Sequence, residues 1–255
     1  MRAILTYHSI DDSGSPVSVS PAQFRAHCAF LASGRIRVVS PHQLLELPNN
    51  TDAVAITFDD GFASVWTEAA PRLADRGLPA TVFVVSSHVG GFNDWGGRRD
   101  PAVPHLPLMS WDQLGQLAHG HMEIGAHTAT HPRLPATTPG RLQDELDGCV
   151  DHVQAQLGVR PSSFAYPYGA VNARVAREVR DRFVIGCTTE LRALGAGGAD
   201  DRAQLPRLDM YYLRAPGLLE RWGSRAFRSL VWLRARGRWA KGMLSREPLV
   251  AGAAL

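Results

Sequence analysis

The chain has 255 residues, 45% of them hydrophobic and 20% charged, with a formal net charge of +3 and three cysteines. That is enough apolar material for one full core, and the absence of any internal repeat or low-complexity tract excludes a solenoid or a disordered array. No apolar run approaches the ~20 residues that span a bilayer. The start, Met1 to His8, meets polar residues too soon for a signal peptide, so a cytoplasmic protein is expected, at most peripheral at the inner face of a membrane. Cys28, Cys149 and Cys187 are widely spaced and in no paired motif, which predicts buried free thiols.

Short apolar runs alternate with helical patterns from the N-terminus onward, the signature of repeated β-α units around a mostly parallel sheet. Arg2 to Tyr7 reads as a strand. Ser20-Pro21 is a helix start, with Phe24, Cys28 and Leu31 at helical spacing until Gly34. Arg35 to Val39 returns as a strand, and Ser40-Pro41 starts a short helix carrying Leu44, Leu45 and Leu47. A strand follows from Ala53, and Phe62 to Arg76 reads as helix ending at Gly77. Ala80 to Val85 is a strand, and Ser86 to Pro107, rich in Gly, Pro and Asn, is a long loop over an active face. Ser110 caps a helix through Leu117, Met122 to Gly125 is a strand, and Thr138-Pro139 opens a helix through Leu157. Ser162 to Tyr166 leads into Pro167-Tyr168-Gly169. Val171 to Arg182 is helix, and Phe183 to Thr188 and Leu205 to Met210 are strands.

Chemistry gathers at strand ends. The run Ala53-Val54-Ala55-Ile56-Thr57-Phe58 closes in Asp59-Asp60-Gly61, where parallel α/β sheets and barrels carry their functional groups. Neighbouring side chains in extended backbone point opposite ways, so the two carboxylates are expected to do different jobs, although Asp-Asp-Gly also suits a plain helix-capping turn. A second strand end carries His127-Thr128-Ala129-Thr130-His131. Two imidazoles four residues apart can meet one ion, and a carboxylate from another strand end, Asp60, completes a facial set with positions left for water and a substrate oxygen. Asp59, just outside that set, can take a proton from water. Such donors suit zinc, cobalt, nickel, manganese or iron, and one divalent ion is expected, the affinity order leaving its identity open.

Thr57-Phe58-Asp59-Asp60-Gly61, His127 to His131 and Tyr166-Pro167-Tyr168-Gly169, in that order and spacing, resemble the first three motifs of the polysaccharide deacetylases, the NodB-type enzymes of carbohydrate esterase family 4. The resemblance covers roughly Met1 to Met210. It implies a distorted, incomplete (β/α) barrel and a metal-dependent hydrolase that removes an N-acetyl group from an amino sugar or glycan. It also implies Asp59 as general base, Asp60, His127 and His131 as ligands of one divalent ion, zinc before the others, and the Tyr168 main-chain N–H as oxyanion donor. Tyr166, Pro167 and Trp95 are expected at the substrate.

Two departures from the commonest pattern matter. Ala165 stands where that pattern has an Arg, and no late Leu-x-His follows Tyr168, since all ten histidines lie at or before His152. In some members the strand bearing the acid histidine comes first, within a Tyr-His pair, and Tyr7-His8 is similar to that permuted arrangement. His8 is therefore expected as the general acid, and Arg207, in Leu205-Pro206-Arg207-Leu208-Asp209, as the cation that pairs with Asp59. For each, a plainer reading stays open: a solvent-facing His8 and a structural Arg207.

Leu219 to Arg246 differs in character, with eight basic residues against Glu220. Its net charge of +7, set against +3 for the whole chain, leaves −4 for the remainder. Residues 1–215 are accordingly read as the catalytic domain and 216–255 as a basic amphipathic helix and tail. Trp222, Ala226, Leu230, Leu233, Gly237, Ala240 and Leu244 recur at helical spacing. That stripe either docks on the barrel with its arginines in water or lies on an anionic membrane surface. Nucleic acid is discounted, because no recognition motif accompanies the charge. The long loop, with Phe92, Trp95, Arg98 and Arg99, is placed to select the sugar. Two further functions stay open: a non-catalytic glycan-binding member of the fold, and a deacylase of a small N-acyl metabolite.

Overall fold

The computed structural model describes residues 1–95, 101–120 and 122–244. Arg98 and Arg99 lie outside the described residues. Strand β1 (Arg2–Tyr7) pairs in parallel with β5 (Ala53–Phe58) on one side and β10 (Leu205–Asp209) on the other. From β5 the parallel order continues through β6 (Ala80–Val84), β7 (Met122–Ala126), β8 (Ser163–Ala165) and β9 (Ile185–Leu191) back to β10. Seven strands thus close a barrel, one fewer than the eight of a complete (β/α) barrel. Short strands β2 (Ser9–Ile10) and β3 (Ser18–Val19) pair beside it, and β4 (Arg37–Val38) adds to the start of β5.

The strand period of two decides what faces inward. One parity of each strand (Leu5 and Tyr7, Val54, Ile56 and Phe58, Val82 and Val84) packs outward against the helices in the main core. The other parity fills the barrel, where Ile4, Ala53, Ala55, Phe83, Ala165, Cys187 and Leu205 cluster. Seven strands leave a narrow lumen. A Cβ on Gly125 would stand 2.5 Å from the Phe83 ring and 2.9 Å from Ser163 Oγ, so only glycine lets that ring fill the barrel. The same inward parity carries His8, Asp59, His127 and Arg207 to the C-terminal mouth.

The outer helices begin where their caps dictate. Ser20, Ser40 and Ser110 each accept the N–H of a glutamine three residues on, and that glutamine accepts the serine N–H in return. These capping boxes open α1 (Pro21–Leu31), α2 (Pro41–Glu46) and α4 (Trp111–His119), each cap being worth about 1 kcal/mol. Helices α5 (Pro139–Leu157) and α6 (Ala173–Arg182) follow the predicted bounds closely. The expected continuous helix over 62–76 is instead a widened π segment, Val65–Ala69, followed by the short α3 (Ala70–Ala74). Pro71 is the reason: it has no N–H to donate, and its ring crowds the carbonyl one turn earlier.

No full helix connects β9 to β10, so their outer face is covered by α7 (Arg225–Leu244). Phe227 and Val231 of α7 are buried in one cluster with Leu191 and Leu208. This corrects the expected docking stripe in part. Leu230 packs on that cluster, as does Trp222, which lies before the helix with its indole donating to the Met1 carbonyl, whereas Ala226, Leu233 and Gly237 are exposed. The three cysteines are free and buried, and burial pushes Cys28 and Cys149 up to about 11 and Cys187 to about 12, which keeps all three as inert thiols.

Candidate active site at the barrel mouth

Among the described residues, Asp60, His127 and His131 form the one cluster with metal-holding donors, their ligand atoms all within 4.8 Å of one another. Asp60 Oδ1 lies 3.3 Å from His127 Nε2 and 3.4 Å from His131 Nε2, and the two imidazole nitrogens are 3.2 Å apart. His127 Nδ1 donates to the Ala165 carbonyl at 2.7 Å, which fixes the tautomer and turns the Nε2 lone pair toward the cluster. His131 is a neutral imidazole at ordinary pH, since burial and the adjoining His127 push it down to about 3. Its Nδ1 is buried with no hydrogen-bond partner. Two imidazole nitrogens and a carboxylate oxygen facing one another repel unless positive charge lies between them, so this donor set fits a divalent ion.

Asp59 is built differently. Arg207, buried in the lumen, donates from Nη1 to Oδ1 at 2.7 Å and from Nη2 to Oδ2 at 2.6 Å, a bidentate pair. Arg207 is itself aimed by Nε, which donates to the Thr188 carbonyl at 2.9 Å. Burial alone would raise the Asp59 carboxyl, but the guanidinium overrides it and holds the group below the usual carboxylate range. His8 Nε2 stands 3.8 Å from Asp59 Oδ2, with 20% of its side chain exposed. The first strand end therefore brings an imidazole to the same carboxylate that Arg207 grips. Adjacent carboxylates have divided their partners as expected, though through a left-handed Asp60 rather than simple extended alternation.

Left-handed backbone marks the site. Among the described residues the non-glycine positions with positive φ are Asp60 (72°), Thr128 (69°), His131 (61°) and Tyr168 (60°), and all four belong to the three motifs. Each costs on the order of 1–3 kcal/mol and persists only where the surroundings over-determine it. The Thr128 hydroxyl accepts the His131 N–H at 2.9 Å, which closes the turn between the two histidines. Gly169, the next residue after Tyr168, also has positive φ, and a Cβ there would lie 2.1 Å from Thr189 Oγ1. The Tyr168 loop is thus seated directly on β9.

Aromatic rings wall the mouth. Trp95 lies 4.7 Å and Tyr168 4.6 Å from the His131 ring, centroid to centroid, and the Arg133 guanidinium covers Tyr168. Trp95 thereby brings the long loop over the candidate ligands, and Tyr168 is 45% exposed. Tyr166 is a correction: it is fully buried, and its hydroxyl donates to the Ala203 carbonyl at 2.6 Å, so it belongs to the core and offers no face to a sugar. Pro167 is buried as well.

One supporting residue escaped the reading of the sequence. Glu145, 1% exposed, accepts the Thr130 N–H at 2.7 Å and the Thr130 hydroxyl at 2.6 Å, and its own carbonyl accepts the Ala129 N–H. It pins the loop between the two histidines. A signal was present: Glu145 sits on the Leu142, Leu146, Val150 and Val153 face of α5, where an acid needs a partner.

A seven-stranded parallel barrel whose mouth joins a two-histidine, one-carboxylate cluster to an arginine-held aspartate carries a candidate metal site of the kind that hydrolases use. The polysaccharide deacetylase family model matches residues 46–182, more than half of the chain, and the chain belongs to that family. The Bacillus subtilis (strain 168) protein YxkH is 25% identical over 193 residues, covering 73% of this chain and 64% of that protein. The poly-β-1,6-N-acetyl-D-glucosamine N-deacetylase of Escherichia coli (strain K12) is 24% identical over 213 residues, 69% of this chain and 32% of that enzyme. The chain thus spans less than two thirds of either relative. Among solved structures, IcaB from Ammonifex degensii aligns with a TM-score of 0.67 at 26% identity, over 81% of this chain and 90% of that one.

Proposed function

We propose that this chain is a metal-dependent N-deacetylase that releases acetate from N-acetylated amino-sugar residues of a glycan, N-acetylglucosamine being the expected unit. The carrying observation is the convergence of the Asp60, His127 and His131 donors beside an aspartate held ionised by Arg207. The similarity to an enzyme named for poly-β-1,6-N-acetyl-D-glucosamine supports the sugar. All the residues invoked lie within 1–215, the segment we assign to catalysis.

A divalent ion, zinc by preference, held by Asp60, His127 and His131 would supply Lewis acidity toward the acetamide carbonyl and toward water. Asp59 accepts the proton of the attacking water, and the Arg207 pair keeps its carboxylate ionised and fixed for that step. The Tyr168 main-chain N–H is the donor assigned to the developing oxyanion; its left-handed backbone and the seat of the loop on Thr189 preset it. Collapse expels an amine, and His8 is the acid that protonates it. Its position 3.8 Å from Asp59 favours a catalytic chain over a binding-only member of the fold. Trp95, packed on His131, is assigned to stack on the sugar ring.

Acetate release from N-acetylglucosamine oligomers by wild type, Asp59→Asn and His8→Ala, each with bound metal quantified, tests this reading. Both substitutions are expected to cost on the order of 10²- to 10⁴-fold in turnover with metal retained near one per chain. Well-folded protein that binds no divalent metal would refute the site, and bound metal without turnover of any N-acetyl sugar would refute the substrate.

A further inference from the structure

Helix α7 carries two apolar rows, and the barrel uses one of them. Phe227 and Val231 are buried against β9 and β10. The opposite side presents Arg225, Ala226, Trp232, Leu233, Arg236 and Gly237, all exposed, with Trp232 at 55% and Leu233 at 59%. Adjacent exposed Trp and Leu on a docked helix are not required by the fold. The helix also contains six basic residues and no acid. Arg228 donates to the Gly223 carbonyl, the Arg236 guanidinium lies 4.5 Å over the Trp232 ring, and among the described residues no carboxylate forms an ion pair with Arg225, Arg228, Arg234, Arg236 or Arg238. Trp232 further lines a cleft of about 700 Å³ between α7 and β9, walled by Leu191, Leu194, Phe227 and Val231, so the apolar surface continues inward from the helix face.

We propose that the outward face of α7 docks this protein on an anionic lipid surface, with Trp232 and Leu233 entering the acyl boundary and the surrounding arginines meeting phosphate headgroups. Charge selects this occupant. A second copy would bring one uncompensated basic helix against another, which like-charge repulsion opposes, whereas anionic headgroups neutralise the arginines and the apolar pair gains by leaving water. Nucleic acid would satisfy the charge but leave Leu233 and the apolar cleft unused. Among the described residues no helix is long and apolar enough to cross a membrane, so the attachment is peripheral. A helix lying in the interface plane with its apolar side down needs this combination of cationic flank and Trp-Leu face.

The test is co-sedimentation of the full chain with phosphatidylcholine vesicles that contain or lack phosphatidylglycerol, for wild type, Trp232→Ser/Leu233→Asp, and Arg225→Gln/Arg236→Gln. The wild type is expected to bind the anionic vesicles and to be released by high salt. Each double variant should lose about tenfold in partitioning while keeping its thermal midpoint and its turnover of a soluble N-acetylated oligomer. Failure of the wild type to bind anionic vesicles overturns the proposal. So does undiminished binding by the Trp232/Leu233 variant, which would reveal charge attraction alone, or a wild-type dimer that this variant converts to monomer.

Discussion

At the barrel mouth, buried charges meet their partners atom to atom: Arg207 grips both Asp59 oxygens, Glu145 takes the Thr130 N–H and hydroxyl, and His127 and His131 face Asp60. Along α7, six cations stand on twenty residues without an acid on the helix. The two regions obey one rule with opposite results. In the protein interior an unpaired charge costs several kcal/mol, so each is met by a partner group from elsewhere in the chain, and the site is over-determined. On the surface of α7 water pays that cost, so charge can accumulate for an external partner. Where the chain could not leave a charge alone, it built the candidate site.

That contrast can be broken most severely at Arg207. Replacing it with Met is expected to destabilise the protein by about 3–5 kcal/mol in chemical denaturation, since Asp59 is left buried and unpaired. In whatever activity survives, the acid limb of the pH–rate profile should move to higher pH, because burial raises a carboxyl that has lost its cation. An unchanged limb would mean that Arg207 is structural only. In the native chain the pair contributes stability above the ordinary carboxylate range, lost as pH falls through the lowered Asp59 value.

His27 sharpens the comparison from within the body. Its Nδ1 meets the Tyr7 hydroxyl at 3.1 Å, and burial, against a weaker opposite pull from Glu220, lowers it from 6.5 to about 4. A buried imidazole without a paired acid must stay neutral in the fold. As pH falls from about 6.5 to 4 the unfolded chain takes up a proton that the native state refuses, so stability should drop by roughly 3 kcal/mol across that window and no further below it. Denaturation midpoints measured across this range for wild type and His27→Gln check this, because the variant should lose that component of the slope.

Glu145→Ala should cost about 2–3 kcal/mol by stranding the Thr130 N–H and removing the carboxylate that Thr130 and Arg141 share, and it should weaken divalent-metal retention in dialysis by loosening the turn between His127 and His131. Unaltered retention would show that the Thr128 hydroxyl alone holds that turn. The smallest effect is expected where the two regions touch. Arg238 Nη1 of α7 donates to the Thr189 carbonyl at 3.0 Å, and Thr189 Oγ1 reaches the Tyr168 carbonyl at 3.4 Å. Arg238→Ala should lower kcat about two- to fivefold with KM unchanged, since only the positioning of the Tyr168 loop is relaxed. A change in KM alone would place Arg238 on the binding side.

Much of this protein was legible before folding. The strand bounds of β1 and β5, the serine caps of α1, α2 and α4, the buried thiols and the strand-end motifs follow from period, capping chemistry and spacing, which are local. The three donor residues of the cluster could be named because histidines four apart after a strand, and a carboxylate ending another, are short-range patterns. Other features are long-range and were decided by packing. That Arg207 reaches Asp59 depends on β1 closing the barrel between β5 and β10, which sets residues 148 apart into contact. That Tyr166 is core and Glu145 a support depends on which face meets which neighbour. The row of α7 that docks was chosen by the outer surface of β9 and β10, because the helix carries more apolar rows than the barrel has surface to cover.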